Sequence, residues 1–165
     1  MIFDAIEQLY TIAAANFSAD LATLAAAKSV TVVTTCNFVK RQDADLFVSL
    51  QLALPACGIY ADPARDTRTQ AKDQTKRDND VALVLDYYAT DTDPVKLGKQ
   101  VELAAEALLQ SIDRVAVAGL GGIYGAGETP GSIAVLLDQI EPRDSTNYGR
   151  RARVRFLLND RDTGL

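Results

Sequence analysis

Hydrophobic and polar positions follow two different periods along this chain, and each period predicts one type of element. Near the start, apolar residues recur at three- and four-residue steps, which predicts an amphipathic helix. Its apolar positions are Ile2, Phe3, Ile6, Leu9, Tyr10 and Ala13. Ser18 and Asp20 then precede an alanine-rich stretch, 21–27, and predict a second short helical turn with its own cap. The β-branched run 30–35 predicts a strand.

The middle of the chain contains one ambiguous segment and two predicted strands. Segment 45–54 fits either a strand or a helical face behind a cap at Asp43, so its conformation stays open. Pro55 ends it, and the short apolar run 57–61 is compatible with a strand. The clearest strand is 81–88, where Val81, Leu83, Leu85 and Tyr87 alternate with Ala82, Val84, Asp86 and Tyr88.

The last third of the chain predicts one long helix and two strands. Pro94 suits the first turn of a helix with a broad apolar face that continues to Ile112. Alternating apolar residues in 133–137 and again in 150–158 predict two paired closing strands. The whole order predicts one α+β domain over residues 1–165. We expect a mixed or antiparallel sheet with the N-terminal helix and the long helix packed on one side.

Two segments lack core-forming residues and are candidate contact regions. The charged arm, residues 62–80, has no aliphatic residue larger than alanine, so we expect an extended arm or a long loop. Its basic residues are Arg65, Arg68, Lys72, Lys76 and Arg77, and they are interleaved with five aspartates. This balance favours ion pairs between subunits, or solvation, over a DNA tether of one sign.

The second segment is a glycine-rich loop, residues 119–131. It contains Gly121, Gly122, Gly125 and Gly127, but no phosphate-binding spacing such as GxGxxG. The loop leads into a proline and a strand, whereas phosphate-binding loops open a helix. We therefore interpret it as a mobile or interface loop, not as a nucleotide site.

The closing strand carries a basic stripe. Arg151, Arg153 and Arg155 project on one face about 6.7 Å apart, while Ala152, Val154, Phe156 and Leu158 take the other. One interpretation pairs these arginines with acids such as Asp138 on the adjacent strand. The other places the stripe at a subunit boundary or against DNA, because arginine favours both interfaces and phosphates.

Composition argues against enzymatic chemistry. Histidine is absent from the 165 residues, which removes the commonest transition-metal ligand and the usual base of a nucleophilic dyad. Cys36 and Cys57 have no metal-binding spacing, and we expect buried free thiols. The aspartate pairs 91/93, 78/80 and 160/162 are better explained as helix caps or solvated loop residues than as acid/base pairs. We predict no catalytic residues, no metal and no cofactor.

Charge and hydropathy bear on location and partners. The net charge of −5 argues weakly against general nucleic-acid affinity. The first residues are acidic where a secretory signal would be basic, and no apolar run approaches the roughly 18 residues that span a bilayer. We therefore expect no membrane partner and a protein that stays in the compartment where it is made.

The order of elements resembles the tail terminator family of long-tailed bacteriophages, also called tail completion or head-tail joining proteins. The shared features are an N-terminal helix, a Leu54-Pro55-Ala56 junction into a short strand, a polar arm, the strand 81–88, the long helix 94–114 and two closing strands. The resemblance covers most of the chain and rests on order and size, without a diagnostic motif. It does not explain the alanine-rich opening, 13–27.

The resemblance implies a virion structural protein. Members of the family form a ring, commonly a hexamer, that caps the tail tube and joins it to the head connector. The charged arm and the glycine-rich loop would then contact ring neighbours, the tail tube protein or the connector, and genomic DNA would pass through the lumen without sequence readout. Such a protein is made in the host cytoplasm and resides in the virion neck. The alternatives are another neck or connector component, or a small nucleic-acid-binding module that uses the arginine strand.

Overall fold

The structure is a computed structural model that describes residues 2–40, 53–61, 67–70, 76–118, 133–140 and 147–163. Two helices and six strands make up this part of the chain. They are, in order, α1 (Ile2–Ala27), β1 (Asn37–Lys40), β2 (Ala56–Ala61), β3 (Thr67–Gln70), β4 (Lys76–Asp91), α2 (Pro94–Ala118), β5 (Ile133–Ile140) and β6 (Tyr148–Thr163). The predicted α+β class, with an N-terminal helix and a second long helix on a mixed sheet, is confirmed.

The strands form one sheet in the order β1-β2-β4-β6-β5, with β3 paired to the first residues of β4. Only the β1–β2 pair is parallel among the described strands. The longest ladder joins β4 to β6 over sixteen residue pairs, from Lys76 opposite Thr163 to Asp91 opposite Tyr148. The two predicted closing strands are therefore paired, as expected, and β6 is also the partner of the central strand.

Both helices pack on one face of the sheet and bury a shared core. Helix α1 contributes a stripe with a three- and four-residue spacing, and α2 contributes a second, broader stripe. The α1 stripe consists of Ile6, Leu9, Ala13, Phe17, Leu21 and Ala25. Phe17 lies at the centre, with its ring 5.5 Å from that of Phe38 and 5.8 Å from that of Tyr87. A bidentate ion pair between Arg114 of α2 and Asp20 of α1 joins the two helices at the surface.

Two local predictions near the N-terminus are wrong. Helix α1 runs without a break through the position where a second capped turn was expected. The reason is that Phe17, Leu21 and Ala25 continue the buried stripe, and alanine and leucine favour the helix. Ser18 caps nothing there, because its hydroxyl donates to the carbonyl oxygen of Thr34 at 2.9 Å.

Residues 30–35 are extended but do not form the predicted strand. A strand needs a ladder partner as well as a β-branched sequence, and this segment is held by other bonds. The N–H of Val33 donates to Oε1 of Gln100 at 3.2 Å, and Val30 bonds back to Ala25 at the end of α1. A strand begins only at Asn37, two residues after the predicted strand would end, and the N–H of Asn37 bonds to the carbonyl oxygen of Pro55.

The other predictions are confirmed in part. The strand predicted at 57–61 is β2, and the strand predicted at 81–88 is the centre of the longer β4. Within the charged arm, the backbone of 67–70 and 76–80 forms β3 and the start of β4, so at least these nine residues are strands rather than loop. The ambiguous residues 45–52 and the glycine-rich loop lie outside the described residues.

Replacing a buried leucine of β4 should destabilise the fold far more than replacing an exposed leucine of β5. We expect Leu85→Ala to lower the free energy of unfolding by about 2–5 kcal/mol, because it opens a cavity under both helices. The matched change Leu136→Ala, at an exposed strand position, should cost about 0.5 kcal/mol or less. Urea unfolding followed by circular dichroism measures both, and equal losses would contradict the assigned core.

Candidate functional site

The face of the sheet opposite the helices carries the predicted basic stripe. Ala152, Val154 and Phe156 are fully buried on the helix side, and Arg151, Arg153 and Arg155 project half-buried from the other side, as their alternation predicted. The side chains beyond Phe156 lie outside the described residues. The register places Arg151 opposite Tyr88 and Arg153 opposite Asp86 on β4.

A fully buried carboxylate lies at the centre of this face. Asp86 occupies the middle of β4, and its Oδ2 accepts a hydrogen bond from Nη2 of Arg153 at 3.0 Å. Nε of Arg151 lies 3.7 Å from Oδ1 of the same carboxylate, within ion-pair distance. The hydroxyl of Tyr60 on β2 donates to Oδ2 at 3.4 Å. An ionised carboxylate can be buried at acceptable cost only with such cationic and hydrogen-bonding partners.

A second acid extends the cluster to β5. Asp138 is opposite Arg151 in the register, and the pair is bidentate, with Nε to Oδ1 at 3.0 Å and Nη2 to Oδ2 at 2.5 Å. Arg151 therefore bridges Asp86 and Asp138 across three neighbouring strands. The ion-pair interpretation of the stripe holds for Arg151, with Asp138 as the predicted partner. Asp86 was not predicted as a partner of the stripe.

In this arrangement the arginines are neutralised by carboxylates of the same chain, which leaves little positive charge to bind an external anion. Two of the three arginines bind two carboxylates, and these four side chains sum to zero formal charge. Fork-shaped guanidinium groups matched to carboxylates are the strong form of ion pair. We call Asp86, Asp138, Arg151, Arg153 and Tyr60 the sheet-face cluster. Its chemistry is structural pairing rather than acid/base exchange.

Asp91 and Asp93 lie just before the first residue of helix α2, as the capping interpretation predicted. Oδ1 of Asp93 accepts hydrogen bonds from the N–H groups of Val95 and Lys96, at 2.9 and 3.2 Å, which makes Asp93 the N-cap. Oδ1 of Asp91 accepts the N–H of Asp93 at 3.0 Å, and the Lys96 ammonium lies 3.4 Å from Oδ2. The hydrogen bond from Asp93, together with Lys96, lowers the pKa of Asp91 below its usual range. The side chains of the pairs 78/80 and 160/162 lie outside the described residues.

The two cysteines are free and lie near each other in the core between α1 and the sheet. Cys57 is fully buried, and Cys36 packs against the core from the extended segment. Burial raises the pKa of both thiols, which keeps them protonated and unreactive at neutral pH. Nearby, the Tyr87 hydroxyl accepts a hydrogen bond from Nε2 of Gln100 at 2.9 Å. The expectation of a buried free thiol is confirmed for Cys57, whereas Cys36 is free but only partly buried.

The edge strand β5 exposes three consecutive aliphatic residues. Val135, Leu136 and Leu137 are 44%, 51% and 47% exposed, although a strand inside a domain normally buries at least one face. Val135 and Leu137 lie on the helix side, where they stay about half exposed. Leu136 lies on the arginine side, opposite Arg153. Their alternation predicted the strand but not its exposure.

The remaining predicted contact residues are only partly placed. Arg68 lies on β3, and Lys76 and Arg77 lie at the start of β4, where the register sets Arg77 between Gln70 and Asp162. Arg65, Lys72 and the glycines of the loop lie outside the described residues. For those residues whose structure is described, no group of three histidine, cysteine or carboxylate side chains is positioned to hold a metal ion. Neither described helix is long and apolar enough to cross a membrane.

Comparison with known proteins leaves the chain without an assigned family. A scan of the sequence against protein-family models gives no match. A search of the curated proteins gives no match either.

Removing the buried carboxylate should destabilise the protein because the neighbouring arginines then lose an anionic partner inside the sheet face. We expect Asp86→Asn to lower the free energy of unfolding by about 3 kcal/mol, the low end for a broken buried pair, because the guanidinium groups keep some contact with water. The control Asp113→Asn, at an exposed site on α2, should change it by about 0.5 kcal/mol or less. Urea unfolding at pH 7 gives both values, and a stable Asp86→Asn protein would show that the cluster is dispensable.

The capping carboxylate predicts part of the acid sensitivity. Because the folded-state pKa of Asp91 is lowered, its contribution to stability is complete above the unfolded-state pKa of about 4 and is lost as the pH falls through the folded-state value. The stability difference between the parent protein and Asp91→Asn should therefore shrink between pH 6 and pH 2.5. Thermal unfolding at steps across this range measures the difference, which would stay constant if the carboxylate were not perturbed.

Proposed function

We propose that this chain is a structural subunit that assembles with copies of itself into a closed ring, and that it serves as a tail terminator in a long-tailed bacteriophage. The ring, a hexamer by the family resemblance, would end the tail tube and join it to the head connector. The observation that carries the proposal is the edge strand β5, whose three exposed aliphatic side chains lie beside a sheet edge with which no other described strand pairs. Open apolar edges mark either a protein contact or an aggregation hazard.

Two further observations support an assembly role. The order of elements on which the resemblance rests is the order of the described fold, from the N-terminal helix to the two closing strands. The sheet is also a rigid platform, because β4 and β6 share a long ladder and the sheet-face cluster links β2, β4, β6 and β5. In a closed ring of such subunits, every apolar edge is buried against a neighbour and assembly stops when the ring is complete.

The proposal includes the partners that a neck protein requires. The tail tube protein and the connector would bind the two faces of the ring, and the charged arm and glycine-rich loop remain the candidate contacts. Genomic DNA would pass through the lumen with only transient, non-specific contact, for which a mildly acidic subunit is suited. The site of action would be the virion neck, after synthesis in the host cytoplasm.

Nucleic-acid binding through the arginine strand is the weaker candidate. Arg151 and Arg153 are bound to Asp138 and Asp86, so their charge is largely neutralised within the chain. Binding a phosphate would require breaking these pairs and leaving a carboxylate buried without partners, which is costly. The geometry therefore favours assembly over phosphate recognition.

A lysine on the exposed edge should abolish assembly without unfolding the subunit. We expect Leu136→Lys to remain folded and to shift the protein from a ring to a monomer, because a charge on an edge strand opposes strand addition. The control Ala22→Lys, at an exposed position of α1, adds the same charge away from the edge and should leave the ring intact.

Light scattering with circular dichroism distinguishes the variants, in the presence and absence of isolated tail tubes and connectors. A parent protein that stays monomeric with both would contradict the proposed function. Equal assembly of Leu136→Lys and the parent would contradict the role of β5.

A further inference from the structure

The two ends of the sheet differ in a way that suggests how copies join. At one end, β5 pairs only with β6 within the described residues, so one side of its eight-residue backbone lacks a ladder partner. Its exposed side chains are aliphatic, and its one acid, Asp138, is neutralised by Arg151. A second strand could add to this side without meeting an exposed charge on β5.

At the other end, β1 and the extended segment before it form a second edge. The backbone N–H groups of the odd-numbered residues point toward the rest of the domain. The N–H of Asn37 bonds to Pro55, and the N–H of Val33 bonds to Gln100. Because successive residues of an extended chain direct their peptide groups to opposite sides, those of Cys36, Phe38 and Lys40 face away from β2. Within the described ranges, these three make no backbone hydrogen bond on that side.

This second edge is already held in an extended form. Val30, Val32 and Cys36 pack against the core, while Thr31, Val33 and Thr35 are exposed on the other side. The hydroxyl of Ser18 donates to the carbonyl oxygen of Thr34, so the open part of this edge begins at Cys36. Together with the bond from the N–H of Val33 to Gln100, it fixes the segment before any partner arrives. A preordered edge loses little conformational freedom when a strand adds to it.

We propose that β5 of one copy adds to the 36–40 edge of the next copy, so that the sheets become continuous around the ring. This inference rests on the proposed function and names its subunit contact. The occupant of each edge is therefore a second copy of this chain. The contact is head to tail, because the two edges belong to opposite ends of one sheet.

Charge supports a second copy as the occupant. Residues 30–39 carry no charged side chain, and the ammonium of Lys40 is bound to Glu7 at 2.7 Å. Two copies of a chain with a net charge of −5 repel each other, and this contact brings together their uncharged edges.

The closure of the ring follows from the same geometry. Pairing β5 with β5 would be two-fold and would end at two copies, whereas a head-to-tail contact repeats until the rotation closes. Leu136 lies on the face of the sheet that carries the arginines. When the paired residues are followed from β5 across the sheet to β1, the row that starts at Leu136 ends at Val39 of the same chain. The neighbours of Leu136 across the contact are then the odd-numbered residues of the next copy, such as Asn37 and Val39.

Disulfide cross-linking between separately purified variants tests this contact. Leu136→Cys is mixed with Thr35→Cys, Asn37→Cys or Val39→Cys, three recipients spaced along one face to allow for the unknown register. Neighbouring strands place Cα atoms about 5.5 Å apart, within the range of a disulfide. Mild oxidation of at least one mixture should give a covalent dimer on a non-reducing gel, and each variant alone should give none.

Two controls make the cross-link specific. Leu137→Cys projects from the opposite face and should cross-link to the same recipient at least about tenfold less. The parent protein controls for its own thiols, because Cys57 is fully buried but Cys36 is only partly buried, and it should give no covalent dimer.

Each outcome bears on a separate claim. A covalent dimer from Leu136→Cys alone would show pairing of β5 with β5 and overturn the head-to-tail contact. Particles that assemble by light scattering but give no cross-link in any mixture would also overturn it, while the ring function would survive. A parent protein that never assembles would overturn both.

Discussion

The carboxylate of Asp86 is the constraint on which the rest of the sheet depends. It lies in the middle of a strand that is buried on both faces, apolar against the helices and ionic on the other side. Charge at such a position must be met by cations, and Arg151 and Arg153 both reach it. Shifting β6 by one residue would send both arginines into the apolar core and expose Ala152 and Val154. The ion pairs therefore specify the β4–β6 register as well as balancing charge.

The same constraint determines where the edge strand lies. Arg151 binds Asp138 as well as lying beside Asp86, so the position of β5 is tied to the centre of the sheet. The helices pack mainly on β1, β2, β4 and β6, and β5 keeps aliphatic side chains exposed on both faces. A rigid sheet that ends in an uncovered apolar strand is suited to adding another strand. This is the physical basis of the proposed ring.

Much of the fold was predictable from the sequence because its signals are periodic and long. The apolar stripe from Ile6 onward correctly predicted α1, and the alternation of 81–88 correctly predicted the centre of β4. Both closing strands were also predicted. The strand predicted at residues 30–35 was wrong because β-branched side chains favour an extended backbone but do not supply a ladder partner. The break predicted at Ser18 failed because a distant carbonyl, that of Thr34, takes its hydroxyl.

The candidate site was less predictable because it depends on which strands become neighbours. Asp86 stands alone among apolar residues, and a lone carboxylate in a buried strand is the signal that could have indicated a cationic partner. Choosing that partner required the register of β4 against β6, which no local pattern contains. The exposure of β5 has the same origin, because alternation identifies the two faces of a strand but not the elements that cover them.

The central claim is that uncharged sheet edges join copies of this chain into a closed ring. Electron micrographs of the purified protein, averaged into classes, test it most directly. The account predicts closed particles of one size with a central hole, a hexamer by the family resemblance. Isolated monomers at micromolar concentration, or open filaments without closure, would contradict it.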